Sequence, residues 1–487
     1  MTRRAPRLAL ALVATTVAAA CDAPLDESPI TISTALDPGD ERCGDVRLGP
    51  PSFPDGGARA AVVDVTDIYA AFTLDFARRV LSARATMRFM TGPDGGHAVF
   101  DLRRPIDRAT LDGEPLVIGR DLVRRDPRLQ RDPSVLVIRR PLAPCSEHAL
   151  ELEYRVMRTS YRLDYPRWDE PTPFLSDFSD GEERRLLESI APAPITLADA
   201  FRLTIDLHLD TPPAVFDVFT NGDRVRLGRQ AWRITWPDDS DVMTPLFVVA
   251  DTSRWRSLAD PRGLVELRWN QGFEPGGPYS SRLPPEEILA VAHETLDDLE
   301  ARFGPRRWGH RPFLVLLTPI SPAGMEYPNG TLIGFLDRYV LQHEITHAWF
   351  GRTVMPARHL DAWFDEGITT WQSAVGGNWW ALDPDSPGAT PLTSGDPWER
   401  RTSKDAHGKG GRVFETLIER FGDDTVQGLL AWLVAQCHGA HVTHHDLRRA
   451  FRTLGDPDFV DALFLSWVIA DGDADVRGTC PAVGDLP

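Results

Sequence analysis

The pentapeptide His343-Glu344-Ile345-Thr346-His347, followed by Glu366 in Trp363-Phe364-Asp365-Glu366-Gly367, constrains this chain more than any other feature. Residues four apart on a helix share one face, so both imidazoles can reach a single ion while Glu344 stands beside them. Two histidines and a carboxylate are the donor set of a tetrahedral zinc site that keeps its fourth position open. The fold must therefore bring two helices together at one point. The first is expected to run from Leu341 through Ala348-Trp349-Phe350 to Gly351, a glycine suited to a C-terminal stop. The second is expected to begin with Asp361 as N-cap, continue through Ile368 and Trp371, and stop at Gly376-Gly377.

The rest of the 487 residues are organised around that pair. With 53 basic against 71 acidic side chains the net charge is −18, which argues against nucleic acid as a partner and against broad attraction to anionic membranes. The N-terminus offers another route to a membrane. Arg3, Arg4 and Arg7 precede an apolar run from Leu8 to Ala20, too short to span a bilayer and patterned as an export signal over residues 1–20. The run ends Ala18-Ala19-Ala20-Cys21, like a bacterial lipoprotein processing site in which Cys21 is lipidated and becomes the new N-terminus. An exported chain held in the cell envelope is the expectation. Cys43, Cys145, Cys437 and Cys480 remain, enough for two disulfides in an oxidising compartment. Pairing 43 with 145 and 437 with 480 keeps each bridge within one domain, but the spacing leaves the other two connectivities open.

Residues 21–49 are rich in Pro, Asp, Ser and Thr and read as a tether. From 50 to 255 short alternating runs recur between turn residues, as in Ala85–Phe89, Val135–Ile138, Leu150–Tyr154 and Phe201–Leu207, with Thr220-Asn221-Gly222-Asp223 as a turn; this predicts an all-β N-terminal domain. Between Tyr161 and Pro194 the pattern lapses into a surface excursion. Residues 256–487 form a mostly helical second domain. A helix opens at Pro284-Pro285 and runs to Phe303, Phe313–Leu317 is a buried strand, and helices are expected over Gly411–Phe421, Thr425–Gln436, His445–Leu454 and Asp458–Ile469. A polar loop covers Trp380–Ser403. The fold class is thus multidomain α+β.

Zinc held by His343, His347 and Glu366 would lower the pKa of a bound water, and Glu344 is placed to take its proton as general base. The segment Gly324-Met325-Glu326-Tyr327-Pro328 follows the strand ending near Leu317, so its backbone can wall the cleft while Glu326 points inward. His438, His441, His444 and His445 lack a carboxylate or cysteine at ligand spacing and read as helix-end and loop residues.

These elements together resemble the zinc aminopeptidases of the membrane alanyl aminopeptidase and leukotriene hydrolase family, within the gluzincin metallopeptidases. The residues that carry the resemblance are Gly324-Met325-Glu326, His343 to His347 with Ala348-Trp349-Phe350-Gly351, and Glu366-Gly367. The resemblance implies a thermolysin-like catalytic domain behind a β domain, and peptides with a free N-terminus as substrates. It assigns Glu326 to the substrate's α-amino group, with Gly324 and Met325 lining the same wall. The large helical C-terminal domain of many members is not expected in a sequence that ends at Pro487. Two departures stand out. Glu326 is only seventeen residues before His343. The family's oxyanion-binding tyrosine, in a Tyr-x-Lys-Gly segment, is replaced by His407 in His407-Gly408-Lys409-Gly410, and an imidazole N–H can donate to an oxyanion in its place. Two rivals follow from these departures: a zinc endopeptidase on the same scaffold, and a zinc-binding surface lipoprotein impaired in turnover.

Overall fold

The structure is a computed structural model that describes residues 43–44, 46, 48–78, 80–125, 134–156, 187–212, 214–273, 283–317, 324–334, 337–373, 382–383 and 390–484. The expected signal, Cys21, most of the tether, residues 161–186 of the surface excursion and the Gly376-Gly377 stop lie outside the described residues.

Alternation in the first half becomes sheet. Along Val80–Met90 the residues Leu81, Ala83, Ala85, Met87 and Phe89 are buried and the residues between them are not, as the two-residue period of a strand with one covered face requires; Met90, at the strand's end, is buried as well. This strand is near the middle of an eight-stranded sheet in the order 223–228, 231–235, 202–210, 64–75, 80–90, 147–155, 106–111, 114–115. A second sheet, built on Gly96–Asp101 and Val135–Leu142, packs its Ala98, Phe100, Leu136 and Ile138 into the same core. Cys43–Cys145 and Cys437–Cys480 are both disulfides.

The second half is more than helices. Trp255–Leu258, Val265–Asn270, Phe313–Leu317, Gly330–Ile333 and Gly324–Tyr327 form a five-stranded mixed sheet in that order, which leaves Gly324–Tyr327 at one edge. Helix α1 (Pro285–Phe303) buries Ile288, Val291, Ala292, Thr295, Leu299 and Phe303 at helical spacing against it. Helix α2 (Arg338–Thr346) starts at Asp337, whose side chain accepts from Val340 N at 2.9 Å. It stops sooner than expected. Beyond Thr346 the amides of Ala348 and Trp349 bond three residues back, to Ile345 and Thr346, and the Trp349 indole N–H is taken by Gly304 O at 2.7 Å.

Helix α3 (Trp363–Ser373) carries Glu366, and α4 (Ala406–Phe421) lies against it. Their contact is backbone to backbone: a Cβ on Gly410 would stand 2.9 Å from Gly367 Cα, and one on Gly367 would stand 2.8 Å from the Gly410 carbonyl carbon. Helices α5 (Asp423–Gln436), α6 (His444–Arg452) and α7 (Pro457–Trp467) complete the layer. Asp361 does not cap α3. It is fully buried, and its carboxylate instead takes Arg358 Nε at 2.9 Å, the backbone amide of His444 at 3.0 Å and that residue's Nδ1 at 2.6 Å. Of the expected loop, 382–383 and 390–403 are described: the amides of Leu392 and Thr393 bond to Trp467 O and Val468 O at the end of α7, and 398–400 reach the β half. There Trp398 donates to Pro51 O at 3.2 Å and Arg400 pairs with buried Asp101.

Candidate metal centre

Helix α3 and the C-terminal end of α2, with His347 as its cap residue, converge on three donor atoms. His343 Nε2 and His347 Nε2 are 3.2 Å apart, and Glu366 Oε2 is 3.3 Å from the first and 3.5 Å from the second. A zinc ion with bonds of about 2.0–2.1 Å places its tetrahedral ligands roughly 3.3 Å from one another. The triangle therefore has the size of one face of that tetrahedron. All three residues are buried.

The opposite nitrogen of His347 is also held. Its Nδ1 is 2.5 Å from Asp365 Oδ1, which directs the proton there and leaves Nε2 a lone pair for a metal. Burial works against a charged imidazole at His347, but Asp365, Glu326 and Glu344 outweigh it and raise the pKa. That direction reports a strongly negative field at the donors, the environment a dication would neutralise. Room for Asp365 comes from Gly351, where φ is +113° and a Cβ would stand 2.7 Å from its carboxylate.

Glu344 is buried beside the donors, and Gly324 on the sheet edge packs directly on its carboxylate, where any β-carbon would collide. Two residues on, Glu326 belongs to a group with His347, Asp365 and Glu366 in which each offers an atom within 4.8 Å of the others. Met325, between them in the strand, turns its side chain into an apolar cluster with Phe219, Leu246 and Leu332, and its carbonyl accepts from Thr331 Oγ1 at 3.0 Å. His407 reaches the rim from α4. Its Nδ1 is 3.1 Å from Glu366 Oε2 and 3.2 Å from Thr370 Oγ1, with about half of its side chain exposed. The structure thus brings His343, His347, Glu366, Glu326 and His407 within reach of one another, with Gly324 against Glu344, while the Met325 side chain belongs to the apolar cluster.

No protein-family model matches the sequence. Over 91 residues the chain is 36% identical to aminopeptidase B of Mus musculus and to that of Homo sapiens, a match spanning 17% of this chain and 14% of either relative's length. Solved structures extend the likeness. The M1 zinc metallopeptidase from Deinococcus radiodurans aligns over 82% of this chain and 92% of its own, with TM-score 0.56 and 19% identity. The chain has the two-domain M1 zinc metallopeptidase fold. A mutant of the Deinococcus protein bound to a Tyr-Ser-Ala substrate gives TM-score 0.56 at 18% identity, over 85% of this chain and 96% of its own. Legionella pneumophila aminopeptidase A in complex with aspartic acid gives 0.58 at 14%, covering 82% of this chain and 49% of that one.

Within this M1 fold, two site residues had no sequence signal strong enough to find them. Asp365 precedes the candidate donor Glu366 and looks like part of an acidic helix start. Arg352 is a lone cation in the buried run that follows α2. Around His444 the sequence reading is corrected: carboxylates do meet this histidine, from Asp361 at 2.6 Å and Asp473 at 2.7 Å, brought from distant parts of the chain.

Proposed function

We propose that the chain is a zinc-dependent aminopeptidase that removes N-terminal residues from peptides. The observation that carries this reading is the triangle of His343, His347 and Glu366 donors, with the Glu326 carboxylate beside it. When bound, zinc would supply Lewis acidity toward a carbonyl oxygen and an acidified water. His343, His347 and Glu366 would hold it.

The chain's own residues do the rest. Glu344, buried against Gly324, accepts a proton from the attacking water and delivers it to the leaving amine. Glu326 takes the substrate's α-ammonium, with the backbone of Gly324 and Met325 forming the wall that aligns it, so that one residue lies ahead of the scissile bond. His407 donates from its outer nitrogen to the developing oxyanion while Nδ1 rests on Glu366 and Thr370. In the same reading, 50–255 is a β domain and 256–487 a thermolysin-like catalytic domain. Export with a lipid on Cys21 belongs to it too, supported by the patterned N-terminus and the two disulfides, and the mass of the mature N-terminal peptide checks it.

The function is tested with the purified chain by metal analysis and a panel of aminoacyl fluorogenic substrates, each also N-acetylated. One zinc per chain, hydrolysis of the free but not the acetylated substrates, and a loss of about 10²- to 10⁴-fold in Glu344→Gln with zinc retained are expected. Zinc without Glu344-dependent hydrolysis would sink the enzyme reading, and equal cleavage of acetylated substrates would sink the exopeptidase one.

A further inference from the structure

The buried run Trp349-Phe350-Gly351-Arg352-Thr353-Val354 contains one full charge. Arg352 is 1% exposed, among the largest fully buried side chains of the protein. An arginine cannot shed its proton, so a guanidinium is kept in such a place only when its partners compensate for lost water. The partners are specific. Nη2 donates to Glu326 Oε1 at 2.6 Å, and Nη1 donates to Gly351 O at 2.6 Å, with Met243 Sδ 3.4 Å away. Gly351, with its left-handed backbone, packs against Asp365 and directly precedes Arg352.

Glu326 itself is 3% exposed and sits on the edge strand Gly324–Tyr327. Its carboxylate shares a space with Asp365 and Glu366, two other anions that would push it away. Arg352 is a cation in direct contact with it.

We infer that Arg352 is the positioning residue of the amine-binding site: by gripping Oε1 it holds Glu326 in one orientation toward a substrate's α-ammonium. The inference rests on the assignment of Glu326 as amine anchor. Arg352 does not touch substrate and takes no part in bond breaking. Its contribution is to affinity for the free amino end, through the carboxylate it holds.

The test compares Glu326→Gln, Arg352→Gln, Arg352→Lys and the double variant Glu326→Gln/Arg352→Gln on one aminoacyl fluorogenic substrate, with zinc content and thermal midpoint measured for each. Arg352→Gln is expected to raise KM by about tenfold or more, the worth of a hydrogen bond to a charged group, with kcat changed severalfold at most. Arg352→Lys should recover part of the loss, because an ammonium keeps the charge but not the planar grip. In the double variant the arginine change should add nothing to the effect of Glu326→Gln, and this variant, which removes both charges, serves if Arg352→Gln alone does not fold. A raised KM in Glu326→Gln with unchanged or lowered KM in both arginine variants overturns the inference and leaves the anchor standing. An unchanged KM in Glu326→Gln overturns the anchor, and the inference with it.

Discussion

Replacing Gly410 with alanine puts a methyl group where helices α3 and α4 touch. The new carbon would lie 2.9 Å from Gly367 Cα and 3.2 Å from Trp363 O, both backbone atoms that cannot swing aside. Carbon atoms rest about 3.5–4.0 Å apart, so α4 must retreat by roughly 0.6–1 Å. His407 stands three residues earlier on the same helix face, and its 3.1 Å contact with Glu366 would open to about 4 Å. Overpacking of this kind costs about 1–3 kcal/mol of stability. A displacement near 1 Å in a group that meets the transition state costs on the order of 10²-fold in turnover. The three donors of the candidate site are on α3 and at the C-terminal end of α2, so zinc content is expected to stay at one per chain. The assay is kcat on an aminoacyl substrate beside the thermal midpoint and metal analysis, with Gly410→Ala combined with His407→Ala as a control in which the two losses should not add. Wild-type turnover in Gly410→Ala, or loss of its zinc, would refute the reasoning.

Asp365→Asn keeps the size of the side chain that orients His347 but removes its charge, and is expected to weaken zinc binding by about 10- to 100-fold in a chelator competition. His444, buried between Asp361 and Asp473 with Arg358 beyond, gives a pH signature of stability. Burial opposes its charge, yet the two aspartates raise its pKa, so its contribution is complete below the unfolded pKa and is lost as pH rises through the folded value. Burial likewise opposes ionised Asp361, but His444 and Arg358 depress its pKa, so its contribution holds above the unfolded value and falls away in strong acid. Neighbouring His445 is pushed down to about 4 by burial and by His444, and stays neutral through the window. Thermal midpoints should therefore fall on the alkaline side, and His444→Gln should lose that limb along with about 3–5 kcal/mol of stability; a parallel pH curve in the variant would count against the clamp.

What the sequence made legible was local. Leu81, Ala83, Ala85, Met87 and Phe89 announce a strand because each second residue is apolar, and His343, His347 and Glu366 announce a site because the helical repeat sets their spacing. Gly324–Tyr327 and Gly330–Ile333 are four-residue strands bounded by Pro and Gly, too short for any period to show. Asp361 satisfied the pattern of a cap, but a histidine 83 positions later claims its carboxylate. Just past the early end of α2 the Trp349 indole donates to Gly304 O, the residue that follows α1, a contact that no local pattern encodes. Arg352 was invisible for the same reason: its meaning lies in Glu326, on a different element.

The glycine pair between α3 and α4 also governs motion. Two helices separated by side chains can slide on a compliant layer, whereas two that meet at their backbones have nothing between them to deform. His407 therefore travels with Glu366, and adjustment of the rim to different substrates falls to rotation about the histidine's own side-chain bonds.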